Sequence, residues 1–476
     1  MSKTDKICDK ITFSECELAI LRLAVDKAEE KMGKRVVSSE DVKKIIQILE
    51  SFIKRNNLIC YGGTAINNIL PKEAQFYNKD IEVPDYDFFS TDPLNDAKKL
   101  ADIYFAEGFS EVEAKSGTHH GTYKVYVNYM PIADITFLPK EIYNSLMKET
   151  LRVNGILYAS PNFLRMSMYL ELSRPAGDIS RWEKVLKRLT ILNKYYPLTT
   201  IHCGEVDFQR EMVDTTKEEE NIIFKNVFDT LVNEEVVFFG GYAISQYKKY
   251  MPKEYQKKLN KIADFDVLSN DPESTAEIVK ERLRDANIKH VTIHKKPPVG
   301  EIVPLNYEIK VGKNTIAFVY KPIGCHSYNI IHIKGHKVKI ATIDTMLSFY
   351  LAFLYTDRPY YNAFSERILC ISKFLFEVQQ RNRLRQKGIL KRFSITCYGH
   401  QEGLEELRGE RAEKYSELKG KKGTKEFEEW FLNYTPSKSK REPTVKTPLK
   451  PSPTKKSKKS RKTINPYNVT KKTKFW

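Results

Sequence analysis

No CxxC pair and no close Cys/His spacing occurs in this 476-residue chain, so a zinc module is excluded. Its seven cysteines (Cys8, Cys16, Cys60, Cys203, Cys325, Cys370 and Cys397) form no pattern. An odd, scattered set in a chain of this length predicts reduced intracellular thiols, not a disulfide framework. Long hydrophobic runs are missing as well. Nothing approaches a membrane span, and Met1 to Lys6 contains no apolar signal core, so a soluble intracellular protein is expected. There is no P-loop: Gly420-Lys421-Lys422-Gly423-Thr424-Lys425 lacks the four-residue gap between glycines and follows no apolar strand. A Ser/His/Asp hydrolase elbow is also absent.

Acidic residues are nearly lacking at one end. The chain carries 79 Lys and Arg against 61 Asp and Glu, a net charge of +18, yet residues 435–476 hold 14 of the bases and one acid, Glu442. That segment accounts for +13, which leaves only +5 on the other 434 residues. It is rich in Lys, Ser, Thr and Pro, cannot bury enough surface to offset its ordering entropy, and is predicted to be disordered. A tethered cationic arm attracts single-stranded nucleic acid without reading sequence. Solubility or nuclear localisation through Lys455–Lys462 is the plain alternative. With 41% hydrophobic and 12% aromatic residues overall, the chain is otherwise expected to form two or three domains with cores.

Two helices are predicted first. One runs from about Glu15 to Met32, with Leu18, Ile20, Leu21, Leu23, Ala24 and Ala28 near one face. The other follows Ser38-Ser39, with Asp41 in capping-box position, and repeats Val42, Ile45, Ile46, Leu49 and Ile53 at helical spacing. Leu58 to Tyr61 reads as a buried strand. Gly62-Gly63 then stands at the strand end, and Thr64 opens a helix; backbone N–H groups there suit phosphate oxygens. Asp85-Tyr86-Asp87-Phe88-Phe89 alternates as a strand, so Asp85 and Asp87 share a face. Two adjacent carboxylates repel unless solvated or bridged by a hard divalent cation, Mg²⁺ or Mn²⁺. For an isolated pair a solvated strand edge is the better explanation. Asp134, the only charge in Ile132-Ala133-Asp134-Ile135-Thr136-Phe137-Leu138, tips the balance, because such a residue needs a strong partner. Lys124 or the backbone is the plain partner; two carboxylates and metals are the functional one. His119-His120 reads as a turn or substrate contact, not a metal pair.

The pattern recurs. Val237-Phe238-Phe239-Gly240-Gly241 is followed by Asp264-Phe265-Asp266, the pair starting 23 residues after the second Gly against 22 in the first copy. Both lead into Ser-x-Asp-Pro, Ser90 to Pro93 and Ser269 to Pro272. In the second copy Phe318 aligns with Asp134. The first copy is therefore read as catalytic and the second as degenerate, with Asp264 and Asp266 kept as scaffold or, alternatively, for an ion. Asp85, Asp87 and Asp134 would hold two cations for an in-line displacement at phosphorus, and Gly62, Gly63 and Thr64 would cradle a triphosphate.

With Tyr61-Gly62-Gly63, Pro84-Asp85-Tyr86-Asp87, Ala133-Asp134-Ile135, Leu164 to Val185 (including Ser173-Arg174-Pro175 and Ser180-Arg181-Trp182-Glu183-Lys184) and Thr396-Cys397-Tyr398-Gly399, the chain resembles the poxvirus-type poly(A) polymerase catalytic subunits of large cytoplasmic and giant DNA viruses. The resemblance covers about residues 55–410. It implies ATP as donor, an RNA 3′ end as acceptor and adenylate chains as product, with Asp85, Asp87 and Asp134 as catalytic metal ligands. It also implies a place in the virion and the infected cytoplasm, and leaves a homodimer, a separate processivity subunit or solitary action open. Within Leu164 to Val185, Leu164, Met168, Leu172, Trp182, Val185, Leu186 and Leu189 read as core. Arg165, Arg174, Arg181, Lys184, Lys187 and Arg188 read as phosphate or RNA contacts or as plain surface residues, and Arg181 and Lys184 are taken as nucleotide-binding.

The expected architecture is α+β. It comprises an N-terminal helical segment (1–57), a polymerase-β-like nucleotidyltransferase domain (58–200), a degenerate nucleotidyltransferase-like repeat (201–375), a C-terminal helical extension (376–434) and the disordered Lys-rich tail (435–476). Competing readings are another enzyme of the same core (CCA-adding, oligoadenylate or small-molecule type) and a non-enzymatic RNA-binding relic.

Overall fold

The computed structural model describes residues 12–198 and 203–437, less 205, 207, 209–211, 260–263 and 334. The expectation of a disordered tail falls almost entirely outside the described residues. Among them the fold is α+β, as expected, and rests on two eight-stranded sheets of the same plan.

The first sheet begins with β1 (Ile59–Tyr61), β2 (Tyr86–Ser90), β3 (Val112–Ser116), β4 (Thr122–Val127), β5 (Met130–Phe137), β6 (Leu151–Val153) and β7 (Ile156–Tyr158). The second uses β8 (Val237–Phe238), β9 (Phe265–Leu268), β10 (Val291–Lys296), β11 (Asn306–Val311), β12 (Asn314–Tyr320), β13 (His326–Ile333) and β14 (His336–Ala341). Two short late strands, β15 (Cys397–Tyr398) and β16 (Asn433–Tyr434), complete them. The orders are β16-β3-β4-β5-β2-β1-β7-β6 and β10-β11-β12-β9-β8-β14-β13-β15. β1 runs antiparallel to β2 and parallel to β7, and β2 runs parallel to β5; β8, β9, β14 and β12 repeat those senses.

Local chemistry repeats too. Ser90 Oγ accepts from Asp92 N–H (2.9 Å) and Ser269 Oγ from Asp271 N–H (3.2 Å). Each Asp-Pro step then starts a helix, Pro93–Ala106 or Pro272–Asp285, because Pro at the first helical position lacks an N–H that would have no partner there. The late segment expected as a helical extension gives one strand to each sheet, and Arg411 ties it back by donating to Gly117 O and Ser116 Oγ at 2.8 Å.

Helices Pro161–Leu172 and Ile343–Phe353 each follow the corresponding strand, β7 or β14, and pack against each other between the halves. All eleven residues of the second are buried. Ser160 Oγ meets Tyr355 OH at 2.7 Å across this seam. The buried charge on that helix, Asp344, accepts from Arg392 Nη2 (2.8 Å), Arg392 Nε (3.0 Å) and Gln379 Nε2 (3.0 Å).

Several expectations are corrected. The first helix is Phe13–Val37 and has no buried residue, so the residues read near one face, Leu18, Ile20, Leu21 and Leu23 among them, are exposed. Its cap is a Thr12–Glu15 box; Ser38 instead donates to Arg35 O, and the helix Glu40–Arg55 has Ser39 as its cap residue without a side-chain bond. Cysteines expected to be reduced are joined as Cys203–Cys370 and Cys325–Cys397, and Cys16 is also disulfide-bonded; Cys60 is free and buried. Partners 167 and 72 residues apart leave no spacing signal, so only the fold brings them together. No helix among the described residues is long and apolar enough to cross a membrane.

Removing one partner of a buried ion pair strands the other charge, at a cost of about 3–5 kcal/mol. Asp344→Ala is therefore expected to lower unfolding free energy in urea by that order, and adding Arg392→Met should restore much of it.

Candidate active site

The helix after β1 starts at Gly62 itself, two residues earlier than expected, and runs to Ile69 with Tyr61 as its cap residue. Gly62 has φ +72, and a Cβ there would lie 2.4 Å from Asp87 Oδ2. Glycine is thus required by both backbone and space. Asp87 sits on β2 directly opposite Asp134 on the parallel strand β5, and Asp85 stands just before β2. Lys124, on β4, is the antiparallel neighbour of Asp134 and forms an ion pair with it.

Titration behaviour reports how closely these charges gather. Burial, then the charges of Asp85 and Asp134, push the Asp87 carboxyl up to about 7 against the pull of Lys124 and Arg181. Burial and Asp134 also raise Asp85, opposed by Lys124 and Lys184. Lys124 is held above its ordinary value: burial works against the charge, but the hydrogen bond and charge of Asp134 outweigh it.

Three carboxylates on neighbouring strands, short of positive charge, form a donor set suited to a hard divalent ion. Among the described residues no group of three His, Cys, Asp or Glu is gathered into a closed cage. Lys124 supplies the counter-charge, held on Asp134. The chemistry of the residues fits Mg²⁺ or Mn²⁺; a cage would require the carboxylates to turn toward one another.

Other expected residues divide. Thr64 is buried and its hydroxyl donates to the Asp85 carbonyl, so it positions the carboxylate loop instead of facing a phosphate. Arg181 is exposed, pairs with Glu171 at 3.2 Å and acts on Asp87; Lys184 acts on Asp85. Arg165, read as a candidate RNA contact, is only 1% exposed and donates to Asn193, Asn162 and the Tyr196 carbonyl. His119-His120 lies in the β3–β4 turn, where Thr122 N–H reaches His119 O and the His120 ring rests 4.3 Å from Trp430. Leu164, Met168, Leu172, Val185 and Leu189 are core, with Trp182 and Leu186 partly buried against it.

Arg188 stands closer to the Gly-Gly step than the sequence revealed. A Cβ on Gly63 would lie 2.8 Å from Arg188 Nη2 and 2.5 Å from Tyr77 OH. The guanidinium donates to Tyr77 OH at 2.6 Å and lies over the Phe76 and Tyr77 rings, 5.2 and 5.6 Å from their centroids. Asn67 Oδ1 fixes that aromatic pair by accepting from Phe76 N–H (2.8 Å) and Tyr77 N–H (2.9 Å). Only the helical spacing from Arg181 and Lys184 hinted at it.

In the second half, Asp266 on β9 stands opposite Phe318 on β12, in the same register as Asp87 and Asp134. Glu308 faces Phe318 where Lys124 faces Asp134, so the cation has become an acid, paired with Lys296 at 2.9 Å. Tyr242, aligned with Thr64, donates its N–H to the Asp264 carbonyl and turns its ring among Phe224, Phe228, Phe238 and Phe265. Apolar packing replaces the polar pocket.

Residues 47–178 match the family model described as poly(A) polymerase catalytic subunit. The chain is 29% identical over 174 residues to a putative poly(A) polymerase catalytic subunit of African swine fever virus (strain Badajoz 1971 Vero-adapted), covering 35% of this chain and 36% of that one. It is 31% identical over 186 residues to the protein so described from Acanthamoeba polyphaga mimivirus, covering 38% and 30%. The match thus spans about a third of the length of these curated relatives. The fold is similar to the crystal structure of the Megavirus polyadenylate synthase, with a TM-score of 0.73 and 20% identity over 89% of this chain and 86% of that one.

Asp87, with its folded pKa raised above the ordinary value near 4, binds a proton more tightly when folded. Its contribution to stability is present at low pH and lost as pH rises toward 7. A cation bound there competes with that proton. Thermal melts should therefore show greater stabilisation by Mg²⁺ at pH 8 than at pH 5, and none in Asp87→Ala.

Proposed function

We propose that the chain is a template-independent polynucleotide adenylyltransferase that transfers AMP from ATP to an RNA 3′ hydroxyl. The observation that carries this reading is the register: Asp87 faces Asp134 on adjacent parallel strands beside Asp85, while the same register in the repeat pairs Asp266 with Phe318. Catalysis is assigned to the first half and a scaffolding or groove-forming role to the second.

In this reading Asp85, Asp87 and Asp134 would hold two divalent ions. Those ions would supply activation of the attacking hydroxyl and neutralisation of the departing pyrophosphate. Gly62 and Gly63 allow the triphosphate to approach the backbone at a helix N-terminus, where N–H dipoles favour anions. Arg188 offers a planar donor beside Gly63, already oriented by Tyr77. Arg181 and Lys184 add positive potential over the carboxylates. Lys124 balances the charge of Asp134. The attacking oxygen bonds to the α-phosphorus as the bond to pyrophosphate breaks, and the hydroxyl proton leaves to solvent. The viral sources of the relatives agree with action in an infected cell, and a second subunit or second copy serving processivity belongs to the proposal.

Labelled ATP, the other three nucleotides and an RNA primer test the reading directly: long ATP-dependent products are expected, and short or CTP-dependent ones would overturn it. Asp87→Ala and Asp134→Ala should each reduce extension by at least about a hundred- to a thousandfold, the scale of losing a charge-stabilising group. Asp266→Ala should leave extension near wild type. Removing residues 435–476 should weaken RNA retention at moderate salt while sparing single AMP additions.

A further inference from the structure

The small positive excess of residues 1–434 gathers in one segment. Between Glu377 and Glu402 the chain carries Arg381, Arg383, Arg385, Lys387, Lys391 and Arg392 and no acid. Those six charges exceed the +5 of all 434 residues, which leaves the remainder at −1. Arg381 pairs with Glu377 at 3.7 Å and Arg392 with the buried Asp344 at 2.8 Å. Arg383, Arg385, Lys387 and Lys391 are exposed and have no ion-pair partner among the described residues.

The segment is tied down at several points. Tyr247 OH donates to Ile389 O at 2.9 Å, Asn329 Nδ2 to Lys391 O at 2.8 Å, and Arg392 N–H to Gln386 Oε1 at 3.2 Å. Asn382, Arg383, Gln386, Lys391 and Arg392 line one hollow, so these polar groups share a common opening. Cations displayed from a fixed backbone lose less freedom on binding than those of a loose loop.

Phe393 connects this segment to the first half. Its ring centroid lies 6.2 Å from that of Trp182, and the Arg392 guanidinium lies 5.1 Å from it. Trp182 Nε1 donates to Glu171 O at 3.0 Å, which orients the indole, and both ring residues are half-buried. Arg181 and Lys184, next to Trp182 in the chain, are exposed and act on Asp87 and Asp85. The acids flanking the indole are already matched, Glu171 by Arg181 at 3.2 Å and Glu183 by Lys187 at 2.6 Å. Cations and two partly open rings thus run from beside the carboxylates onto the second half.

Single-stranded nucleic acid is held by this combination, its phosphates on cations and its bases stacked on rings. A duplex hides its base faces, and an acidic protein segment has none, so neither uses both features. We propose that the acid-free segment 378–401, together with the Trp182–Phe393 ring pair, forms a track that holds single-stranded RNA behind its 3′ end. The identity of that strand rests on the proposed function, which the track deepens by giving the second half its share of substrate binding.

The test uses the full chain without ATP, so that binding is read apart from turnover. Anisotropy of a labelled oligoadenylate RNA is followed from low to high salt. Arg383→Gln with Lys391→Gln should lower the slope of log affinity against log salt by about 1.4, two phosphates at about 0.7 each on a single strand. Phe393→Leu should weaken RNA binding about tenfold, the scale of one lost stacking contact, and leave the slope unchanged. A DNA duplex of equal length should lose slope in the double variant and be indifferent to Phe393→Leu. Unchanged RNA affinity and slope in the double variant overturn the track, and leave these cations to solvent or to an acidic protein. An equal effect of Phe393→Leu on the duplex overturns the choice of single strands. If Phe393→Leu does not fold by circular dichroism, ultraviolet cross-linking of the wild-type complex decides the stacking: a cross-link at Trp182 or Phe393 supports it, and cross-links only elsewhere overturn it. Primer extension then separates the two claims. A chain with the slope loss that extends no primer keeps the track and loses the proposed function. Extension by the double variant with an unaltered KM for primer keeps the function and loses the track.

Discussion

The parallel pairing of β2 with β5 is the constraint from which the candidate site follows. It puts Asp87 across from Asp134 at a fixed register, and because side chains alternate on strands, one residue of slip would turn either carboxylate to the other face. The long-range parallel pairing is held by the strands on both sides of it, β1 and β4. Gly62 is part of the same arrangement, since a side chain there would displace Asp87. The site is therefore an electrostatically unfavourable cluster fixed by backbone pairing, and Lys124 relieves only part of the repulsion.

The second sheet shows the same register with an aromatic residue in place of the third acid. The order of seven strands is preserved, with the late strand added at the opposite edge, and Phe318 occupies the place of Asp134. Glu308 in place of Lys124 would be repelled by a carboxylate at 318; beside Phe318 it finds Lys296 and Lys310 instead. Loss of the third acid and reversal of its neighbour are consistent with each other. At the position of Thr64, the Tyr242 ring packs among Phe224, Phe228, Phe238 and Phe265.

The site was legible where it depends on local pattern. Gly-Gly at a strand end, alternating Asp85 and Asp87, and Asp134 alone in an apolar strand each carry their meaning in a few residues. The alignment of Phe318 with Asp134 agrees with the observed register. What escaped the sequence depends on distance along the chain. Cys325 and Cys397 have no spacing signal, and nothing local says that β15 and β16 cross from one end of the chain into both sheets. Arg165 and Arg188 look alike in sequence, yet the first is consumed by Asn162, Asn193 and the Tyr196 carbonyl and the second is held on an aromatic shelf. The exposed apolar residues of Phe13–Val37 mislead for a related reason: helical spacing identifies a face but not what, if anything, lies against it.

The helices Pro161–Leu172 and Ile343–Phe353 occupy equivalent places in the two halves and bury one another. Such a contact resembles the self-complementary interface of a twofold dimer, here between unequal copies joined in one chain. The second half, with Phe318 where the first has Asp134, also covers the apolar helix of its neighbour. The sheet plan is kept with Phe318 in place of Asp134, whereas deletion of that half would leave the first with an uncovered apolar helix. The copy without a third acid thus excludes solvent from the core of the other, so one repeated design carries two separate properties.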